Sequence, residues 1–393
     1  MDLQPRIAYV STYPPRACGI ATFTRDLARA VLMRGHADSN LIVPIEDNGT
    51  RYPAYIKCTI DQHDRGSYIS AANFLNESDI DVVSLQHEFG IFGGDWGEHV
   101  LDFCRNIEMP FVTTFHTVLR DSPEKAREIV REISQMSSAV VVMIESAAKL
   151  LVKRFGVDAD KIVVIRHGAA LPERVCREYA KRHLGFQKRT VLATFGLISS
   201  GKGIEFAIKS LPYLVKQRPD LLYLVIGETH PEVQKHEGEA YRNKLTSLAK
   251  RLGIERNVRF VNRYLQEDEL SLHLQAVDVY VAPYLGRDQV SSGTLTLALG
   301  HGKAVVSTPT TFAREILCHN KGLFCKFANG RSIAECVERI LKNSNLRQEL
   351  EANAFKYGQE VGWTRVADQY GDIFRSAIRV PRTIIEATAV SET

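Results

Sequence analysis

A chain of 393 residues is longer than one ordinary hydrophobic core supports and predicts two domains, each burying its own apolar interior. With 45% hydrophobic and 24% charged residues it has a globular composition. A formal charge of +4, without any basic run interleaved with aromatics, excludes nucleic acid as an expected partner.

The amino terminus, MDLQPRIAYVSTYPP, enters a strand at once, with no charged region ahead of a signal-length apolar run. No segment approaches the roughly 18 apolar residues that span a bilayer. The expected location is cytoplasmic, with at most peripheral membrane association. Seven scattered cysteines without a C-x-x-C pair indicate neither a disulfide framework nor a zinc site.

Short Val- and Ile-rich runs alternate with amphipathic segments along the chain, the pattern of parallel sheets with crossover helices. In the first half, strands are expected near 7–10, 41–45, 80–85, 111–115, 139–143 and 162–165. Helices are expected near 20–34, 96–106, 123–136 and 146–155. Residues 169–188 are dense in charge, carry no apolar period and read as a hinge. Beyond it, strands at 190–195, 222–226, 258–261, 279–282 and 304–307, with helices between them, predict a second doubly wound sheet. The expected division is a Rossmann-like domain over 1–172, a second over 173–360, a helix over 361–379 that returns to the first, and a mobile tail over 380–393.

Ligands of such folds bind where strands end and loops begin. In the second half the stretch VYVAPYLGRDQVSSGTLTLALGHG passes from a strand through a polar loop into a helix opening at Ser291, Ser292, Gly293 and Thr294. Unpaired amides and the helix dipole make that end a candidate diphosphate cradle, with Gly293 permitting close approach and the hydroxyls of Ser292 and Thr294 adding donors. The loop GLISSGKG places Lys202 after the preceding half-domain strand as a counter-charge. In the first half, Gly19 precedes a helix after the opening strand, without a dinucleotide glycine fingerprint. The polar trio Gln86, His87 and Glu88 follows a strand and is expected to bind acceptor hydroxyls. His116 ends the run FVTTFH and can hydrogen-bond a hydroxyl.

The opening YVSTYPPRACGIATFTRDLA, the VTTFHT segment, the GLISSGKG loop and DVYVAPYLGRDQVSSGTLTLALGHGKAVVSTP together resemble the retaining glycosyltransferases of family 4, and the resemblance covers nearly the whole chain. It implies an α/β protein of the GT-B fold, two Rossmann-like doubly wound domains facing a central cleft. It also implies a nucleoside diphosphate sugar as donor (GDP-mannose or UDP-glucose type), no cofactor, no metal, and a glycan, lipid or small molecule as acceptor. By this resemblance His116, Lys202 and Gln289 are catalytic, and Gly19 with Ser291 to Thr294 binds the donor diphosphate. One departure stands out. The family usually carries two Glu in the nucleotide stretch, and the matching positions here are Gln289 and Leu297; a leucine cannot hold a ribose. A non-catalytic sugar-nucleotide-binding subunit and a GT-B-like epimerase are the alternatives this departure leaves open.

Overall fold

The computed structural model describes residues 4–47 and 49–379; the expected tail over 380–393 lies outside them. Two compact units divide the chain, one made of residues up to Arg166 together with those from Trp363, the other of His167–Gly362. The divisions therefore fall a few residues from those expected.

In the first unit, strands β1 (Arg6–Ser11), β2 (Ser39–Glu46), β3 (Ile60–Asp61), β4 (Val82–His87), β5 (Phe111–Phe115), β6 (Ala139–Val142) and β7 (Ile162–Val164) form one parallel sheet in the order β3-β2-β1-β4-β5-β6-β7. The winding reverses between β1 and β4, and loops leaving the carboxyl ends of those strands flank the crevice of this topology. Helices α1 (Gly19–Met33), α2 (Arg65–Asn76), α3 (Val100–Asn106), α4 (Glu124–Met136) and α5 (Glu145–Leu150) connect the strands. Helix α1 turns Phe23, Leu27, Ala28 and Val31 inward at helical spacing against Ile7, Tyr9, Val112 and the helix Trp363–Arg379. Full burial of each larger apolar side chain there stabilises by about 1.5–3 kcal/mol. Helix α2, between hydrophobic runs too short to announce it, is started by Asp64, whose carboxylate accepts from Gly66 N at 2.9 Å. The helix expected from residue 96 starts only at Val100. Trp96 (φ 58°) and Gly97 (φ 77°) are left-handed, so no helical ladder runs through them.

The second unit begins with the segment expected to be a hinge. It instead forms α6 (Arg177–His183) and packs Ala180 and Phe186 into this unit. Its charges are consumed locally: Lys181 Nζ lies 2.5 Å from Asp278 Oδ2 and Arg177 Nη2 lies 2.5 Å from Glu351 Oε1. Then follow β8 (Thr190–Phe195), α7 (Ile204–Val215), β9 (Leu221–Ile226), α8 (Pro231–Glu237), α9 (Ala240–Arg251), β10 (Val258–Val261), α10 (Glu267–Ala276), β11 (Val279–Ala282), α11 (Gly293–Gly300), β12 (Ala304–Ser307), α12 (Thr311–Ile316), β13 (Leu323–Phe324), α13 (Gly330–Lys342) and α14 (Ser344–Glu360). The parallel order β10-β9-β8-β11-β12-β13 reverses between β8 and β11.

Helix α15 (Trp363–Arg379) rejoins the first unit, burying Val366, Tyr370 and Phe374 against α1 and β1. Asp368 fixes it to the end of α1, accepting from Arg34 at 2.9 Å and facing His36 Nε2 at 2.6 Å. Among the described residues no helix is long and apolar enough to cross a membrane.

Candidate active site

In the second unit, the loops after β8 and β11 meet at the reversal point. Gly196 ends β8 with φ 117°, a conformation only glycine adopts readily. Its α-carbon is so hemmed in that an added Cβ would lie 2.9 Å from Thr294 Cγ2 and 3.4 Å from Lys202 Nζ. Gly203 follows Lys202 at φ 64°, where a side chain would strike the Pro283 carbonyl at 2.2 Å. These two glycines fold the loop back so that the Lys202 ammonium stands 4.8 Å over the Tyr284 ring.

The Tyr284 hydroxyl lies 2.5 Å from Thr294 Oγ1 and 3.3 Å from the Tyr280 hydroxyl. Burial drives the Tyr284 phenol upward, but the Lys202 charge and the hydrogen bonds from Thr294, Tyr280 and Ser292 outweigh it and hold the group below its ordinary value. Burial pushes Tyr280 the other way. Ser292 is the N-cap of α11, its hydroxyl accepting from Leu295 N at 3.2 Å and lying 3.4 Å from Thr294 Oγ1. Gly293 then opens the helix beneath the imidazole of His167; a Cβ at Gly293 would come within 3.0 Å of Nε2. His167 Nδ1 donates to the Gly168 carbonyl at 2.8 Å, and burial pushes the ring down to about 4, so it is neutral with its lone pair on Nε2.

The structure thus brings Lys202, Ser292, Gly293 and Thr294 into one cluster. Tyr284 and His167 join it without having been singled out in the sequence. Tyr284 was legible in principle, since it follows the β11 strand and Pro283 at the carboxyl edge. His167 was not, because it follows a strand of the other unit. Gln289 is turned into its own loop, Nε2 donating to the Ser291 carbonyl at 2.8 Å. It shapes the approach to α11 in this structure.

The first unit differs. Gly19 is exposed, with no atom within 4 Å of where a Cβ would stand, and the preceding residue Cys18 makes no side-chain cap, so the α1 amino end is open. The polar trio was expected beyond the strand, yet β4 runs through His87. Strand alternation sends Gln86 and His87 to opposite faces, and both are fully buried. They therefore offer no surface to an acceptor. The Gln86 amide donates to Ser84 Oγ at 3.0 Å, and its oxygen accepts from His116 Nε2 at 2.9 Å. His87 sits among the rings of Phe89, Phe92 and Phe115 at centroid distances of 5.1–5.5 Å, both nitrogens unpaired, and burial drives it down to about 3. Glu88, half-buried, caps the next turn by accepting from Phe89 N at 3.1 Å and also accepts from the Thr117 hydroxyl. Burial raises its carboxyl, an effect these bonds oppose. His116 stands one residue past the end of β5 and keeps 5% exposure; it is held by Gln86 and set edge-on to Phe23 at 4.8 Å. Among the described residues no group of three or more His, Cys, Asp or Glu is placed to hold a metal ion.

Two doubly wound parallel sheets in one chain are the architecture of the GT-B fold. Anabaena Alr3699/HepE, solved in complex with UDP, superimposes with a TM-score of 0.74 at 15% identity, covering 94% of this chain and all of that one. Sucrose-phosphate synthase from Thermosynechococcus elongatus gives 0.75 at 16%, over 95% and 99%. Residues 17–171 match the family model of Glycosyltransferase Family 4 and residues 177–357 that of Glycosyl transferases group 1; the chain belongs to glycosyltransferase family 4. The D-inositol 3-phosphate glycosyltransferases of Corynebacterium aurimucosum and Nocardioides sp. are 23% and 24% identical over 77% and 68% of this chain. The matched segments span 73% and 62% of those relatives' own lengths.

Proposed function

We propose that this enzyme moves a hexose from a nucleoside diphosphate sugar to an acceptor hydroxyl, with retention at the anomeric carbon. The observation that carries the reading is the meeting of Lys202, Tyr284 and Thr294 at the amino end of α11. Negative charge grows on the diphosphate as the glycosidic bond breaks, and a fixed ammonium with helix amides aimed at it lowers that barrier most. Lys202 and the α11 amides supply the positive charge a divalent cation would otherwise bring. As the resemblance to retaining enzymes implies, no protein nucleophile takes part, and the leaving diphosphate takes the acceptor proton on the face it departs from. His116, oriented by the bond between its Nε2 and Gln86, is assigned to hydrogen-bond a hydroxyl of the sugar. Gly19 and the open α1 end are assigned to the same polar edge of the first unit.

UDP-glucose is the first donor to test, because the neighbouring structure holds UDP, with GDP-mannose second; inositol and its phosphate are the first acceptors, by analogy with the named relatives. Incubation of the purified chain with each pair should release nucleoside diphosphate only when acceptor is present and should yield an α-linked product by NMR from either α-donor. A β-linked product would refute retention, and no release with any donor across a broad acceptor panel would refute transfer.

A further inference from the structure

The loops at the amino edge of the second sheet, at the far end of α11 from the cradle, border a partly open cavity of about 660 Å³ lined by Arg174, Arg177, Gln275, His301, Lys303 and Phe355. That volume lies within the range of small-molecule sites. Its charge is unbalanced. Asp278 is shared by Arg177, Lys181 and Arg347, and Glu351, which also lines the cavity, by Arg177 and Arg347. Lys303 and Arg174 have no carboxylate at ion-pair distance among the described residues.

Lys303 is 5% exposed, and its ammonium donates only to the carbonyls of Gln275 at 2.9 Å and Val277 at 3.3 Å, leaving one N–H unspent. Burial, helped by the charges of Arg177 and Arg174, pushes it down to about 7 against the pull of Glu351 and Asp278. The Arg177 Nε is buried and makes no hydrogen bond, its nearest counter-charge being Asp278 Oδ1 at 3.6 Å. The guanidinium carbon of exposed Arg174 stands over the Phe355 ring, 4.2 Å from its centroid, and a guanidinium held on a ring face can still donate to an oxyanion. His301 adds no charge: Nδ1 donates to the Leu297 carbonyl at 2.8 Å, Nε2 accepts from Ser271 at 3.0 Å, and burial holds the ring down to about 4. A buried ammonium with no carboxylate at ion-pair distance, as at Lys303, carries a desolvation cost, and an anion with several acceptor oxygens offsets it, with exposed Arg174 adding charge at the mouth.

We propose that this cavity binds the phosphate monoester of a small sugar, the phosphate meeting Lys303, Arg174 and Arg177 and the sugar filling the remaining volume. Inorganic phosphate alone would leave most of the space to water. The site is separate from the α11 amino end and does not depend on the donor reading.

Isothermal titration of the full chain with glucose 6-phosphate tests it, with glucose as control. Saturable binding is expected below about 10 mM, weakened at least about tenfold by Arg174→Ala and by Lys303→Met, retained in Lys202→Ala, and absent for glucose. Because Lys303 also ties the entrances of β11 and β12 together, Arg174→Ala, at an exposed side chain, keeps the test readable should Lys303→Met not fold. No saturation by about 10 mM, an unchanged affinity in Arg174→Ala, or loss in Lys202→Ala would each overturn the assignment.

Discussion

The two sheets are wound alike, yet their carboxyl edges are built to opposite effect. In the second unit β8 stops at Phe195, and the left-handed Gly196 throws the chain outward, so Lys202 and the hydroxyls of α11 converge on the edge. In the first, β4 carries on through Gln86 and His87, and the same kind of polar residue is drawn into the sheet. The reversal point supplies a crevice; whether it is charged depends on where each strand lets go of its chain.

Substitutions in the two edges put that contrast at risk, and the largest effect is expected in the second. Lys202→Ala should lower turnover at least about a hundredfold with an unchanged circular dichroism spectrum, since a preorganised cation opposite developing charge is worth about 2.7–4 kcal/mol. Turnover equal to the parent would remove Lys202 from the chemistry.

His87, on the inward-turned edge, should show itself in stability and not in catalysis. Its ordinary value is 6.5 and its folded value about 3, so the unfolded chain takes up a proton below pH 6.5 that the folded chain refuses. The associated stability is complete above pH 6.5 and is lost progressively as pH falls toward 3, about 2 kcal/mol of it by pH 5. Chemical denaturation at pH 7 and pH 5 should show that loss shrinking in His87→Phe, with transfer activity retained. An identical pH dependence in the variant would place the titration elsewhere.

Gln86→Leu should cost about tenfold in turnover, because it frees His116 from the bond that orients it without removing the imidazole. A loss as large as that of His116→Ala would mean the amide itself contacts substrate. Smallest of all, Ser292→Ala should lower stability by about 1 kcal/mol through the lost cap on α11, seen as a drop of a few degrees in Tm.

The contrast also explains what could be read before any coordinates. Lys202, Ser292, Gly293 and Thr294 lie just past apolar runs and beside glycines, so the end of the strand and the start of the loop are written in the residues themselves. Gln86 and His87 mislead because a central strand can bury polar side chains once partners exist, and two of those partners, His116 and Phe115, come from another segment to complete what Ser84, Phe89 and Phe92 begin locally. Helix α6 was hidden for the same reason. Its charges looked solvent-bound because Asp278 and Glu351, which neutralise them, lie about 100 and 170 positions away in the chain. Tyr284 was overlooked because aromatic residues after a strand are usually core. The ring is buried, and only its hydroxyl bears on Thr294.

Helix α15 belongs to the first unit although nearly two hundred residues of the second precede it. A nascent chain emerging from the ribosome therefore presents α1 with an uncovered apolar stripe until α15 is made, while the later-translated lobe can close first. Release of a chain cut short at residue 362 would leave that stripe permanently bare, a target for chaperones and proteases.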